Sequence, residues 1–368
     1  MITIVLGLQM GGFQLALLSA VNELGLDGKT MGLPVTAQFL SISLMPLIFG
    51  PISDRVGKMK IVAVFMFVFS LGCFLAWMSS SAGELIIAAF IIGAGFSVCE
   101  CSGAAAISDV FLEDGEKYIN FCQSFFCIGA VLSPILLQAL IDNYSASWRI
   151  IFLICAIVMA AIVPAVLSVH TNPVRKAEQK QADRKKGNPL MFIGFVLCMF
   201  IYVGIESCLA YFADTVLTLE MSAPAFGAFA ISLFWGAMGI GRFFFGRLKI
   251  IPRSATAVSL LCLAAIMACI IFINSEYTML IFFTVCGFAC SCIWPGIINS
   301  AVSLNRDSSG AIVSYLNLGA GLGGAVFPLV LGVLLTVTGI SVSFIILAVF
   351  PVMAGVYLLK KVRKTSSI

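Results

Sequence analysis

The charged residues of this chain cut it into twelve apolar stretches, roughly 2–22, 33–52, 61–78, 84–109, 118–140, 148–169, 190–213, 223–244, 255–273, 277–303, 310–337 and 341–359. Each comes close to the about 20 residues that a helix needs to cross the hydrocarbon of a bilayer. Backbone in lipid must satisfy its own hydrogen bonds, so a succession of such stretches predicts an all-α membrane-spanning fold. The gaps between the stretches are not equivalent. All but Lys29 and Arg149 of the 21 Lys and Arg residues fall in every second gap or in the tail: Arg55, Lys58 and Lys60; Lys117; the run from Arg175 to Lys186; Arg242 to Arg253; Arg306; and Lys360 to Lys364. Cytoplasmic gaps carry such an excess, which predicts that both termini are cytoplasmic.

Composition points the same way. Hydrophobic residues make up 61% of the chain and charged residues 10%, against about 25% charged in soluble domains. The net charge of +4 follows from the sidedness of the gaps and is no footprint for nucleic acid. The 13 cysteines lie almost entirely in apolar stretches without paired C-x-x-C motifs, so neither disulfides nor a metal site is expected, and no cofactor. His170, the one histidine, is expected at a solvated helix end. Met1 to Val21 has neither a basic start nor a small-residue cleavage pattern and reads as a retained first helix.

The polar stretch from Thr171 to Pro189 divides the spans six and six. The expected organisation is a first bundle over 1–170, a linker over 171–189 and a second bundle with a short tail over 190–368. Patterns recur between the two. Gly12-Phe13-Gln14 is matched by Gly204-Ile205-Glu206, while Asn120, Gln123, Gly129 and Pro134 share their spacing with Ser314, Asn317, Gly323 and Pro328. Six is even, so the repeats are parallel, related by an axis along the membrane normal. The glycine clusters around Gly95 and Gly321 precede no soluble βα turn and read as helix contacts. Gly28-Lys29-Thr30 ends like a P-loop, but Glu23 stands where its first glycine belongs, so no ATP site is expected.

Gly50-Pro51-Ile52-Ser53-Asp54-Arg55-Val56-Gly57-Lys58-Met59-Lys60 resembles the G-x-x-x-D-R-x-G-[RK]-x-[RK] signature of the major facilitator superfamily. The resemblance implies a latch on the cytoplasmic side, with Asp54 against the helix start near Ser309 and Gly310 and Arg55 against Asp109 or Glu113. Gly241-Arg242-Phe243 to Leu248 is the counterpart in the second half, without an acid. Gly50, Asp54, Arg55, Gly57, Lys58, Asp109 and Arg242 are the expected gating residues. Within the superfamily the chain is similar to the fucose permease group of sugar:proton symporters. The likeness rests on Gly95 to Glu100, on Asn120-x-x-Gln123-x-Phe125 with Gly129-Ala130, on Tyr202-Val203-Gly204-Ile205-Glu206 and on Gly241-Arg242-Phe243. Where that permease has an acid in its first span, this chain has Leu15 beside Gln14.

Among the acids, Glu100 and Glu206 alone stand deep inside apolar stretches. A carboxylate at mid-bilayer costs roughly 2.5 kcal/mol or more, so each is expected to face a cavity or to carry a proton, and they are the candidates for proton coupling. Helical spacing puts Glu100 on a stripe with Gly93, Ser97, Ala104 and Ser108 that would suit a water path. Tyr202 lies one turn before Glu206. Gln14, Gln123, Asn299 and Asn317 are amides in apolar stretches that both donate and accept, as a hydroxylated solute requires, and Trp235 and Trp294 could face a sugar ring.

The function expected is proton-coupled import of a small polar solute, a monosaccharide by the family resemblance, through alternating access in a bacterial inner membrane, with the lipid bilayer and protons as partners and the monomer as the working unit. The alternatives are proton-antiport export of drugs or metabolites and a non-transporting nutrient receptor. No nucleophile triad or metal cluster points to an enzyme.

Overall fold

The structure is a computed structural model that describes residues 1–27, 29–111, 115–168, 189–245, 253–302 and 309–365. Among these residues the chain is helical throughout, without strands. The helices are α1 (Ile2–Glu23), α2 (Leu33–Val56), α3 (Lys58–Met78), α4 (Ala82–Val110), α5 (Gly115–Tyr144), α6 (Ile150–Leu167), α7 (Pro189–Leu219), α8 (Gly227–Phe245), α9 (Arg253–Ala268), α10 (Glu276–Cys290), α11 (Ile293–Val302) and α12 (Ser309–Thr365). The expected linker and His170 fall almost wholly outside the described residues.

Two of the expected spans take forms that hydropathy alone did not foresee. The tenth is split into α10 and α11 at Ser291–Cys292. Pro295 stands in the first turn of α11, where its missing N–H breaks the ladder that would have continued α10. The last two spans are joined in one element whose apolar part alone covers 46 residues, about 69 Å if straight, against a core of about 30 Å. Gly339, at φ 73° and ψ 175°, reverses the chain between them, so that α12 has a first arm before Gly339 and a second after it. Counting both arms, and α10 with α11 as one, gives twelve crossings.

Local chemistry sets where helices begin and turn. Ser81 accepts from the Glu84 N–H while the Glu84 carboxylate accepts from the Ser80 N–H at 2.7 Å, fixing the start of α4. Ser275 and Thr278 form a reciprocal capping box on α10. Gly57, at φ 110°, is the single residue between α2 and α3, a conformation for which a side chain would be strained.

In the first half α1 packs on α5 and α6, and α4 on α2 and α3; in the second, α7 packs on the first arm of α12, and α10 on α8 and α9. α1 is buried on nearly every side. Glycines let these helices meet at backbone distance: a methyl added at Gly129 would lie 2.8 Å from the Leu8 nitrogen. The helix ends that flank the basic gaps, and the two described chain ends, share one end of the bundle, here the basic end; the turns near 24–27, 79–81, 145–149 and 339 mark the far end. At the far end Arg149 is bound to Glu23 at 2.7 Å and to the Ser79 carbonyl at 3.0 Å, and lies over the Trp148 ring. One of the two cations on that side is thus held in a tertiary contact.

Contacts between the halves are one-sided. Along α2, Gly32 meets Leu329, Thr36 donates to the Ala325 carbonyl at 2.6 Å, Phe39 covers Gly324, and Ser43 donates to the Leu318 carbonyl at 3.0 Å. Further along that face Leu47 is exposed and Gly50 has open space beside it. The halves meet toward the far end and part toward the basic end.

Candidate functional site

The site is built where α4 and α5 of the first half confront α7 and α8 of the second. The Gln123 side-chain amide donates to Glu100 at 2.9 Å, joining α5 to α4. One turn further along α5, the Cys127 thiol receives Nη1 of Arg242 from α8 at 3.8 Å. The Tyr202 hydroxyl donates to the Cys290 carbonyl at 3.1 Å, and its ring meets Trp294 edge-on with centroids 6.5 Å apart. Glu206 lies one turn above Tyr202 and in contact with it, and the Arg242 charge reaches both Glu206 and Glu100. Trp235 precedes Arg242 by seven residues, two turns or about 10 Å along the same face of α8. Its indole N–H donates to Gln14 at 2.8 Å across the two halves, and Phe126 packs edge-on against it.

Sequence reasoning and structure agree on some of this and not on all. Glu100 with Gln123, and Gln14 with Trp235, come together as pairs. Asn317, on the first arm of α12, has a buried side-chain oxygen without a partner. Asn299 is exposed on α11, three residues from its end, away from these pairs. The stripe on α4 is not a water path along its length: Gly93 presses on Gln38 and Ser41 of α2, and Ser97 is buried. The Ser108 and Asn120 side chains lie outside the described set.

At the signature loop, Lys58 rather than Arg55 holds Asp109, and it also reaches the Ala105 carbonyl at 3.4 Å, tying α3 to α4. Asp54 lies 3.6 Å from Lys58, and Arg55 is exposed. Glu113 and the side chains at Ser309 and Gly310 lie outside the described residues. Arg242, expected at the gate, stands among the site groups instead, because the last turns of α8 are packed against α5 and α7.

Four polar residues were missed. Gln9 and Gln38 are fully buried, with Gln38 donating to Gln9 at 3.0 Å, and the Tyr211 hydroxyl lies 3.3 Å from Gln38 and 3.0 Å from the Met10 sulfur. The cluster bridges α1, α2 and α7 beyond Glu206 toward the far end. An amide inside an apolar stretch, the signal that singled out Gln14, was present in both glutamines. Asp214 is buried against Gly227 because α7 runs to Leu219, past the expected end at 213.

The model of the Major Facilitator Superfamily matches residues 1–248 and again 195–367. The glucose/mannose transporter GlcP of Bacillus subtilis is 23% identical over 264 residues, 67% of this chain and 65% of its own. The chloramphenicol resistance protein CraA of Acinetobacter baumannii is 28% identical over 136 residues, 37% of this chain and 33% of its own. The chain thus spans about a third to two thirds of the length of these relatives. Among solved structures, a bacterial homologue of the human lysosomal transporter Spinster, inward-facing and occupied, superposes with a TM-score of 0.79 at 14% identity over 98% of this chain and 95% of that one. The nucleoside transporter NupG gives 0.71 at 15% identity over 98% of this chain and 96% of that one. With twelve crossings, halves that meet at one end, and a family match along nearly the whole length, the chain belongs to the Major Facilitator Superfamily.

Proposed function

We propose that the protein is a secondary active transporter that imports a small polar solute of monosaccharide size by alternating access, coupled to protons through Glu100 and Glu206. One observation carries the reading. Hydrogen-bonding and ionisable groups from α1, α4 and α5 of the first half and from α7 and α8 of the second gather along the seam between the halves. A solute held there would touch both halves, so closing the basic end around it and opening the far end carries it across. The basic end is the cytoplasmic one by its Lys and Arg, which makes this arrangement inward-open. Residues 1–170 and 190–368 are the moving units, with 171–189 as the linker. Similarity to a glucose/mannose transporter supports the solute class.

Glu100 takes its proton when the site faces outward and yields it inward, with Gln123 as a neutral neighbour that hydrogen-bonds either form. Glu206 serves in the second half, steadied by Tyr202. The experiment is uptake of labelled D-glucose by proteoliposomes, driven by a pH gradient, against counterflow without one. E100Q/E206Q should abolish gradient-driven accumulation and keep counterflow; accumulation that persists in the double variant removes both carboxyls from coupling. The stretch similar to a chloramphenicol resistance protein favours a second reading, export by proton antiport. That reading requires a pH gradient to drive labelled chloramphenicol against the direction of proton flow and to leave glucose unmoved.

A further inference from the structure

Arg242 is half-buried, its Nε is fully buried, and among the described residues its guanidinium has no ion pair. Among the described residues no carboxylate lies within 4 Å of it: its Nη1 meets a thiol sulfur, its other close neighbour is the Tyr202 phenol, and its buried Nε has no acceptor. Thiol and phenol are weak acceptors, while the guanidinium offers five N–H donors in a plane and keeps its charge in any environment. A guanidinium whose buried N–H lacks an acceptor is costly unless something of opposite charge completes it.

The charged and titratable groups around it come from every neighbouring helix: Glu100 from α4, Cys127 from α5, Tyr202 and Glu206 from α7 and Cys290 from α10. Glu100 is engaged by Gln123, and Glu206 lies beside Tyr202. The Arg242 Nε is thereby left without an acceptor at the seam between α8 and α5, and the Asn317 oxygen, also buried and unpartnered, lies on the first arm of α12.

We propose that the solute of this transporter carries a carboxylate beside its hydroxyls, and that Arg242 binds that carboxylate in the cleft between the halves. The inference rests on the transport reading above and narrows its solute from a neutral sugar to a small hydroxylated acid. A planar fork matches a carboxylate through two parallel hydrogen bonds, which a lysine or an amide does not reproduce. Gln14, Gln123 and Asn317 are left for the hydroxyls.

The test uses the full chain purified in detergent and calorimetric binding of three matched pairs: D-glucose and D-glucuronate, D-galactose and D-galacturonate, glycerol and glycerate. The acid of at least one pair should bind about ten-fold or more tightly than its neutral partner, the increment expected of a charge-assisted contact. R242Q should erase that preference and R242K should keep only part of it, each checked for a wild-type size-exclusion profile and melting temperature. A mere counter-ion role for Glu206 would be relieved in R242Q/E206Q, so acid binding that returns in this double variant overturns the proposal. Equal affinities within all pairs, or no binding by any acid, also overturn it. Counterflow of the same compounds in proteoliposomes separates the two claims: neutral sugars exchanged without acid preference leave transport standing and sink the anion, whereas acids bound but never exchanged do the reverse.

Discussion

Helix α5 has two working faces, and they are packed to different standards. Against α1, inside its own half, there is no room for a side chain at the contact: a methyl at Gly11 would lie 3.0 Å from the Ala130 Cα and one at Gly7 3.0 Å from the Phe126 carbonyl carbon, while Ser133 donates to the Leu8 carbonyl at 2.5 Å. Against α8, across the halves, a methyl at Gly236 would stand 3.8 Å from Val131 and one at Gly239 3.6 Å from Cys127, which are ordinary contact distances. Interfaces in lipid are held by close packing and by hydrogen bonds, since no hydrophobic force distinguishes a neighbour helix from acyl chains. The tight face is therefore built to stay together, and the loose face, held by the Ser232 to Val131 carbonyl bond of 2.7 Å and the long Arg242 to Cys127 contact of 3.8 Å, is built to slide.

Filling the two faces should break this contrast in graded steps. The largest effect is expected from G11V. It overpacks a backbone contact that cannot give, at a cost of about 1–3 kcal/mol or more, and should abolish a monodisperse peak in detergent. S232V should spare folding but weaken the seam by about 0.5–1.5 kcal/mol, shifting the population away from the state open at the basic end by about two- to ten-fold. Thiol labelling of Cys122 on the half-buried part of α5 would report that shift. The pair Glu23–Arg149 is solvent-exposed on one side, so E23Q should cost at most about 1 kcal/mol in thermal unfolding. G236A should change melting by less than about 0.5 kcal/mol; a large loss there would show that the α5–α8 face is as tight as the α1 face.

Much of the architecture was legible because lipid imposes a simple rule: apolar runs of bilayer length become helices, and polar breaks become ends. What hydropathy cannot see is backbone conformation at single residues. Pro295 splits a continuous apolar run, and the reversal at Gly339 needs one residue with positive φ rather than a polar loop. The site was legible at its carboxyls and in part at its amides, because polar atoms in apolar spans must find partners. It was less legible at Arg242, which lies near the end of its span and was expected at the gate rather than among the site groups. Asp214 was missed for a similar reason, since its helix outruns its apolar stretch. Whether Gln9 and Gln38 would pair with each other or with a solute depends on the angle between α1 and α2, which no periodicity encodes.

The central claim is that the halves rock as units around the central site. Electron–electron distance measurements between spin labels test it most directly in the full chain reconstituted in lipid. One pair, at Val56 and Tyr315, reports the basic end, and the other, at Lys29 and Val337, reports the far end; all four positions are exposed. When the protein is acidified, or when a compound that it binds is added, the account predicts that one distance distribution shortens as the other lengthens. Two distances that stay fixed, or that change in the same direction, would contradict it.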